Sequence, residues 1–552
     1  MKLICKVTGW IIAALALMLP VGVCAKSRNA EQKRVSVIPN PKSMVQLQGE
    51  LKIDNKNIAV AVSDTSLSMA ADYLAGCLSH YGKPVVVSDN DKADILLLLT
   101  APDSLLSVKG AYRLVVSTDK AVISAADYNG IINGIASLRQ LLPPAAKKDA
   151  GKKFLSIQCV DIYDAPDYWW RGLHLDSSRH FWTIDEIESY IDLMALYKLS
   201  VFHWHLIDDQ GWRVQIDRYP ELTGRGAWRV FNQMDSACEA ASVNDASMRI
   251  PRDRMRPGEN GDSVYGGFYT KQQLRHIVSY AAARGIQVVP EFDVPGHSTI
   301  LTVVHPEVSC NGKPNSSICP GKDETIEFCK NVYSELFDIF PSKYVHMGGD
   351  EVDKTVWKSC PHCKQRMLEH DIDSPEGLQA WFVRQMELFF RNNNRTLIGW
   401  DEIAYDGLGS ETAIMWWHGD NRAVVSAATE SGKHVTCTPT SCLYFDYPQT
   451  DAEIDKILSL NPREGLSPSQ QRLINGLQGN VWCEYIPTME RIYTQILPRM
   501  LALSESAWNA DTEKRITPSE FWLRLPDHLA RFDAMGVAYR MPDCLIVKTK
   551  NK

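Results

Sequence analysis

From Tyr168 onward the chain repeats one arrangement: a short apolar run closing on charged or aromatic residues, a polar loop, then a stretch with helical spacing. Such runs span 172–176, 200–206, 287–292, 344–348, 396–400, 413–417, 434–438 and 477–482. Strands that alternate with helices predict a parallel sheet, because each parallel neighbour needs a crossover, and eight such units predict a closed (β/α)8 TIM barrel. Two of the helices announce their starts. Thr183 with Glu186, and Thr270 with Gln273, have the spacing at which two backbone donors are capped reciprocally. After Thr270, Leu274, Ile277, Val278, Ala281 and Ala282 form one apolar face, and Gly285 supplies the stop.

Residues 35–160 read differently. Short Val, Ile and Leu runs at 57–62, 84–88, 95–100 and 112–117 alternate with a few helical stretches, which predicts a small α+β domain ahead of the barrel. Within 127–142, Gly130, Gly134 and Leu138 recur every four residues, the pattern of a helix packed closely on a sheet. The expected organisation is therefore a leader over 1–25, an α+β domain over 26–165 and a catalytic barrel over 166–545, consistent with a length of 552 residues.

The leader is read from Lys2 and Lys6, an apolar stretch from Trp10 to Leu19, and Val23-Cys24-Ala25, the layout of a secretory signal peptide. Export to the periplasm, cell surface or medium is the expectation. Lipidation at Cys24 is the alternative, and the only route to a membrane, since no later segment approaches the roughly 20 apolar residues of a spanning helix. Export also places the cysteines in an oxidising compartment. Cys310 and Cys319 flank a polar loop and are the favoured disulfide, whereas Cys360-Pro-His-Cys363 reads as structural, bridged or buried, because it opens no thioredoxin-like unit.

Composition narrows the function. A charged fraction of 23% and a hydrophobic fraction of 45% are those of a globular enzyme, not a disordered or fibrous chain. A net charge of -7 without a long Lys/Arg run offers no footprint for nucleic acid, so a neutral substrate is expected. Barrel active sites lie at the carboxyl ends of the strands. Here those ends read Asp176-Ser-Ser-Arg179-His180, His203-Trp-His205-Leu-Ile-Asp208-Asp209, Glu291-Phe-Asp293-Val-Pro-Gly-His297, His346-Met-Gly-Gly-Asp350-Glu351, Trp400-Asp401-Glu402, Trp416-Trp417, Tyr444-Phe-Asp446 and Trp482-Cys-Glu484. Carboxylates and tryptophans dominate. Pyranose C–H faces pack on aromatic rings while hydroxyls need charged hydrogen-bond partners, so the set suits a sugar.

In those motifs the chain resembles glycoside hydrolase family 20, over nearly its whole length after the leader, except that residues 229–265 read as a long polar loop that is less informative. Most glycosidases place two carboxyl groups on opposite sides of the bond, about 5 Å apart for retention. Asp350 and Glu351, as sequence neighbours, can hardly do so. The resemblance implies substrate assistance instead: the acetamido oxygen of the sugar attacks its own anomeric carbon. By the same carry-over, Glu351 is acid and then base, Asp350 orients the acetamido N–H, and Tyr444 donates to its oxygen. Arg179 and Glu484 hold ring hydroxyls with help from Asp446, and Trp400, Trp417 and Trp482 wall the sugar. Asp208 and His297 are expected close to the substrate, where with Asp293 they tune Glu351 as a proton donor, and His346 lies behind. No cofactor and no metal are implied, and the expected partner is a glycan with a terminal N-acetylhexosamine.

Two other readings compete. His203 and His205, two apart on a strand, face the same way and could ligate a metal in an amidohydrolase barrel. A catalytically inactive glycan-binding barrel is the other, although intact Asp350, Glu351 and Tyr444 oppose it. Alternation along strands further predicts that Trp204 points to the helix layer and that Trp416 packs while Trp417 faces the site.

Overall fold

Eight parallel strands close into a barrel in the computed structural model, which describes residues 35–550 apart from 104, 145–152, 406 and 420. The expected leader and Cys24 lie outside the described residues. In chain order the strands are Trp170–Asp176, Val201–His205, Gln287–Glu291, Tyr344–His346, Thr396–Trp400, Ala413–Trp416, Val435–Cys437 and Ile474–Gly479. The first pairs with both the second and the last, which closes the ring. Each expected strand is present, but the eighth starts at Ile474 rather than 477, and Trp482 lies beyond its end. Its Ile474-Asn-Gly opening carries too few apolar residues to read as a strand. Gly476 is required there by close approach: a Cβ would sit 1.9 Å from the Trp170 carbonyl oxygen of the neighbouring strand.

The helices form where their caps predict. Ile184–Leu196 and Lys271–Ala282 both begin with complete capping boxes, from Thr183 with Glu186 and Thr270 with Gln273. Leu274, Ile277 and Ala281 of the second are buried against the barrel, whereas Ala282 is exposed. Trp204 turns outward, its indole N–H donating to Ser177 and its ring packing on Phe202 and Tyr269.

Ahead of the barrel stands a sheet of seven strands, in the order Ser43–Asp54, Phe154–Asp164, Tyr112–Val116, Ala121–Ala125, Ile95–Leu99, Ile58–Val62 and Pro84–Val87. Helix Tyr128–Leu141 lies on it at glycine distance: a Cβ on Gly130 would meet the Ala111 carbonyl oxygen at 2.2 Å, and one on Gly134 would meet Ile123 at 2.3 Å. Sheet and barrel form one compact unit. The seam holds a fully buried ion pair, Lys198 Nζ to Asp164 Oδ2 at 2.8 Å, which the Tyr112 hydroxyl and the Trp508 indole N–H join. Removing one member alone would leave a buried charge uncompensated, so a single substitution of Lys198 or Asp164 would be strongly destabilising.

Two expectations fail. The stretch 229–265, read as a polar loop, folds into helix Gln233–Ala241 and a three-stranded sheet of Trp228–Arg229, Met255–Pro257 and Ser263–Gly266. Its capping box, Asn232 with Asp235, is the local signal for that helix. The expected Cys310–Cys319 disulfide is not formed, and no described cysteine is bridged. Instead Cys310 and Cys319 stand 3.7 and 3.6 Å from Cys363, because their loop folds onto the turn at 360–363.

Candidate active site

The site is organised where the fourth barrel strand ends. Gly348 and Gly349 adopt φ of 68° and 95°, and a Cβ on Gly348 would fall 1.8 Å from Asp293 Oδ1. Only glycine lets this turn pass the end of the third strand, and the Gly349 N–H donates to the same Asp293 oxygen at 3.1 Å. Glu351 then takes φ 48°, a left-handed conformation that costs a non-glycine residue about 1–2 kcal/mol. The turn separates two adjacent carboxylates. Asp350 is drawn inward, with its side chain 10% exposed, while that of Glu351 stands at the mouth, 60% exposed.

His297, at the end of the third strand's motif, spans the two. Its Nε2 lies 3.5 Å from Asp350 Oδ2 and 3.7 Å from Glu351 Oε2, and its Nδ1 lies 3.2 Å from Asp208 Oδ1. Burial opposes a charged ring, but Asp208, Asp209 and Asp350 outweigh it and hold His297 above the usual histidine range. Asp208 also pairs with Arg179 Nη2 at 2.8 Å and with His205 Nε2 at 2.8 Å. Against the desolvation of its buried position, Arg179 and His297 keep its carboxyl well below the usual range. Beneath lies Glu291, fully buried, 2.5 Å from His205 Nδ1, 2.8 Å from His346 Nδ1, 3.1 Å from His203 Nε2 and accepting from Trp400 at 3.0 Å. Burial would raise its carboxyl, yet His346, His205 and His203 hold it low. Asp293 is the contrast: burial and the neighbouring Asp350 both push it up.

Above this layer opens a cavity of about 550 Å³ onto which Arg179, His297, Asp350, Glu351, Trp417, Tyr444, Asp446, Trp482 and Glu484 all face. Tyr444 stacks on Trp417 with centroids 6.1 Å apart, and the Arg179 guanidinium sits over Trp482 at 5.2 Å. Arg179 is held by Asp176 at 3.1 Å and Gln210 at 2.8 Å and reaches Glu484 at 3.5 Å. Burial raises Asp446 to about 7 and also raises Glu484, which Arg179 partly opposes. Burial, then the Asp350 charge, pushes the Tyr444 hydroxyl up.

Three expected roles change place. Asp208 faces Arg179, His205 and His297 rather than the cavity, since a carboxylate 1% exposed and shared by three cations has no free edge for a ligand. Trp400 is a floor rather than a wall, 1% exposed and 5.8 Å from the Trp482 ring. His203 and His205 do face the same way, but toward Glu291 beneath the cavity. Trp416 packs away while Trp417 lines the cavity, as alternation predicts. Residues not anticipated include Glu291, legible as a carboxylate on a strand that is buried all round, and Tyr447, which directly follows the Tyr-x-Asp motif. Met248, from the 229–265 segment, and Arg491, beyond the last strand, also line the cavity, and no local pattern marks either. Glu402 accepts from the Trp417 indole at 2.9 Å and is raised to about 8 by burial and Asp350, beside a second recess that it shares with Glu351.

Residues 168–511 match the family model described as glycosyl hydrolase family 20, catalytic domain, and residues 34–165 match family 20, domain 2. A beta-hexosaminidase of Porphyromonas gingivalis is 30% identical over 565 residues, covering 96% of this chain and 68% of that protein. A beta-N-acetylhexosaminidase of Cellulomonas fimi is 29% identical over 534 residues, covering 91% and 95%. Among solved structures, an exo-β-N-acetylglucosaminidase from Vibrio harveyi in complex with N-acetylglucosamine aligns with a TM-score of 0.78 at 28% identity, covering 92% of this chain and 78% of that one. A beta-N-acetylhexosaminidase from Bacteroides fragilis aligns with a TM-score of 0.76 at 26% identity, covering 92% and 97%.

Proposed function

This chain belongs to glycosyl hydrolase family 20, and we propose that it is an exo-acting β-N-acetylhexosaminidase releasing terminal β-linked GlcNAc or GalNAc with retention through substrate-assisted catalysis. The observation that carries the reading is the split environment of Asp350 and Glu351: one turn puts an acid at the mouth and an orienting carboxylate inside. A pair sharing one strand end cannot flank a glycosidic bond as acid and nucleophile. The sugar's acetamido oxygen supplies the nucleophile.

In the first step Glu351 gives its proton to the leaving oxygen while the acetamido oxygen bonds to the anomeric carbon, forming an oxazolinium ion. Asp350 accepts from the acetamido N–H and balances the developing positive charge, and the Tyr444 hydroxyl donates to the acetamido oxygen. In the second step Glu351 takes a proton from the water that opens the ring from the face the aglycone left, so configuration is retained. Arg179, Asp446 and Glu484 bind ring hydroxyls, and Trp417 and Trp482 pack on the sugar. The names of the relatives, and the N-acetylglucosamine in the Vibrio harveyi complex, support the sugar class. The proposal includes export, on the leader-like pattern of Lys2, Lys6 and the apolar 10–19 run.

His203, Glu291 and His346 stand close enough together to hold an ion, but the group is buried beneath the cavity, where His203 and His205 direct their ring nitrogens to Glu291, Gln478 and Asp208, so an ion there would not face a substrate as the amidohydrolase reading requires. A panel of chromogenic β-glycosides tests the proposal. The N-acetylglucosaminide or N-acetylgalactosaminide is hydrolysed and the β-glucoside and β-galactoside are not. Comparable turnover of a β-glucoside, or a covalent adduct on a protein carboxylate trapped by a 2-deoxy-2-fluoro sugar, overturns it.

A further inference from the structure

Beside the catalytic loops, four sulfur atoms converge. The Sγ atoms of Cys310, Cys319, Cys360 and Cys363 all lie within 4.8 Å of one another. Cys310 is 3.7 Å from Cys363, Cys319 is 3.7 Å from Cys360, and Cys319 is 3.6 Å from Cys363. A disulfide needs about 2.05 Å, and it pairs each sulfur with one partner. Here Cys319 has two equivalent neighbours, and so does Cys363. Four thiolates at about 2.3 Å from a central zinc ion form a tetrahedron whose edges are about 3.8 Å. The three short separations match edges of that tetrahedron, and the other three pairs lie within 4.8 Å.

The backbone is shaped for the same purpose. Cys319-Pro-Gly321 and Cys360-Pro-His-Cys363 are two turns packed back to back: a Cβ on Gly321 would lie 2.3 Å from the His362 carbonyl carbon and 2.4 Å from the Cys363 nitrogen. Cys363 sits in the first turn of helix Pro361–Glu369, which fixes the direction of its side chain. Trp357 and Leu378, with Val352, Ile372 and Trp381, cover the cluster with apolar surface, and Cys319, Cys360 and Cys363 are at most 4% exposed.

We infer that Cys310, Cys319, Cys360 and Cys363 form a closed tetrathiolate site for one thiophilic divalent ion, zinc by geometry and softness, which staples two active-site loops together. Four sulfur ligands leave no open position, so the ion is structural. Binding deprotonates the thiols, releasing up to four protons as four metal–sulfur bonds form. Cys310 and Cys319 lie on the chain that leaves the third barrel strand after Asp293 and His297, and Cys360 and Cys363 on the chain that leaves the fourth after Asp350 and Glu351. The staple thus secures the 3.7 Å approach of His297 to Glu351. The inference does not rest on the reaction proposed above, and its main readouts are independent of activity.

The test is elemental analysis of the purified full chain with a thiol count after denaturation, with and without chelator. The expected result is one zinc ion per chain and four thiols unmasked by chelation. Exchange for cobalt(II) should give the intense sulfur-to-metal absorption of a tetrahedral tetrathiolate. Cys319→Ser and Cys363→Ser should lose the metal and lower Tm, while Cys77→Ser, outside the cluster, keeps it. Should the cluster variants fail to fold, the measurements on the unmodified chain decide. The inference is overturned by a metal-free chain in which peptide mapping finds these cysteines bridged in pairs or free. It is equally overturned by a zinc ion that survives both cluster substitutions.

Discussion

The imidazole of His297 stands 3.7 Å from the carboxylate of Glu351, which is mostly exposed and is the proposed acid. The ring reaches that place from φ 44°, itself a left-handed conformation, and its far nitrogen is anchored on Asp208. Asp208 is tied through His205 to Glu291, so the exposed acid at the mouth connects to a buried network in the barrel interior. Charged networks in low dielectric hold their geometry because moving one member leaves its partners unpaired. This supplies a fixed setting for an exposed carboxylate.

Glu351→Gln keeps the shape and removes the transferable proton. Steady-state kinetics with an aryl N-acetylglucosaminide whose leaving group is poor should show a fall of about 10² to 10⁴ in kcat/KM. The loss should shrink with a strongly acidic phenol, which departs without protonation. A variant with near-normal turnover on both would remove Glu351 from the mechanism.

Asp350→Asn tests the orienting charge while the acid remains. Turnover should drop by roughly 10² or more, the scale on which a single preorganised electrostatic group acts in a transition state. A thiazoline mimic of the cyclised intermediate should inhibit the unmodified enzyme strongly and the variant much less, since it samples the reacting state rather than the substrate. Equal inhibition of both would contradict the assignment.

Asp446 carries a pH signature. Its pKa is raised by burial from 3.8 to about 7. Between those values the folded chain binds a proton that the unfolded chain does not, so this group makes stability fall as pH rises from about 4 to 7. Asp446→Asn should flatten that part of the Tm-against-pH curve. A curve parallel to that of the unmodified protein would show that Asp446 titrates normally.

Gly348→Ala adds a methyl group where the nearest atom would be 1.8 Å away and φ is 68°. Strain of this kind costs about 1–3 kcal/mol, so Tm should fall, and activity should fall further because the displaced turn carries both of the proposed catalytic carboxylates. Gly407→Ala, at positive φ but with nothing near its Cβ, serves as the comparison. Similar activity losses in the two would mean that the approach to Asp293 does not position the site.

Eight strands, their order and the polar residues at their ends were legible in the chain. A parallel barrel converts a one-dimensional pattern into a location, since whatever follows an apolar strand arrives at one rim. The capping boxes at Thr183 and Thr270, and the opposite facings of Trp416 and Trp417, were legible for the same reason, being set by neighbours within a turn or a pleat. Only the tertiary structure decided how residues from different strands meet. It placed Asp208 between Arg179 and His297, set Glu291 among three histidines, and started the last strand at Ile474 under the close approach of Trp170. It also drew Cys310 and Cys319 away from each other's bond and into a group with Cys360 and Cys363, 41 to 53 residues further on. Contacts across such separations depend on how whole loops pack, and no local spacing encodes a distance between two loops.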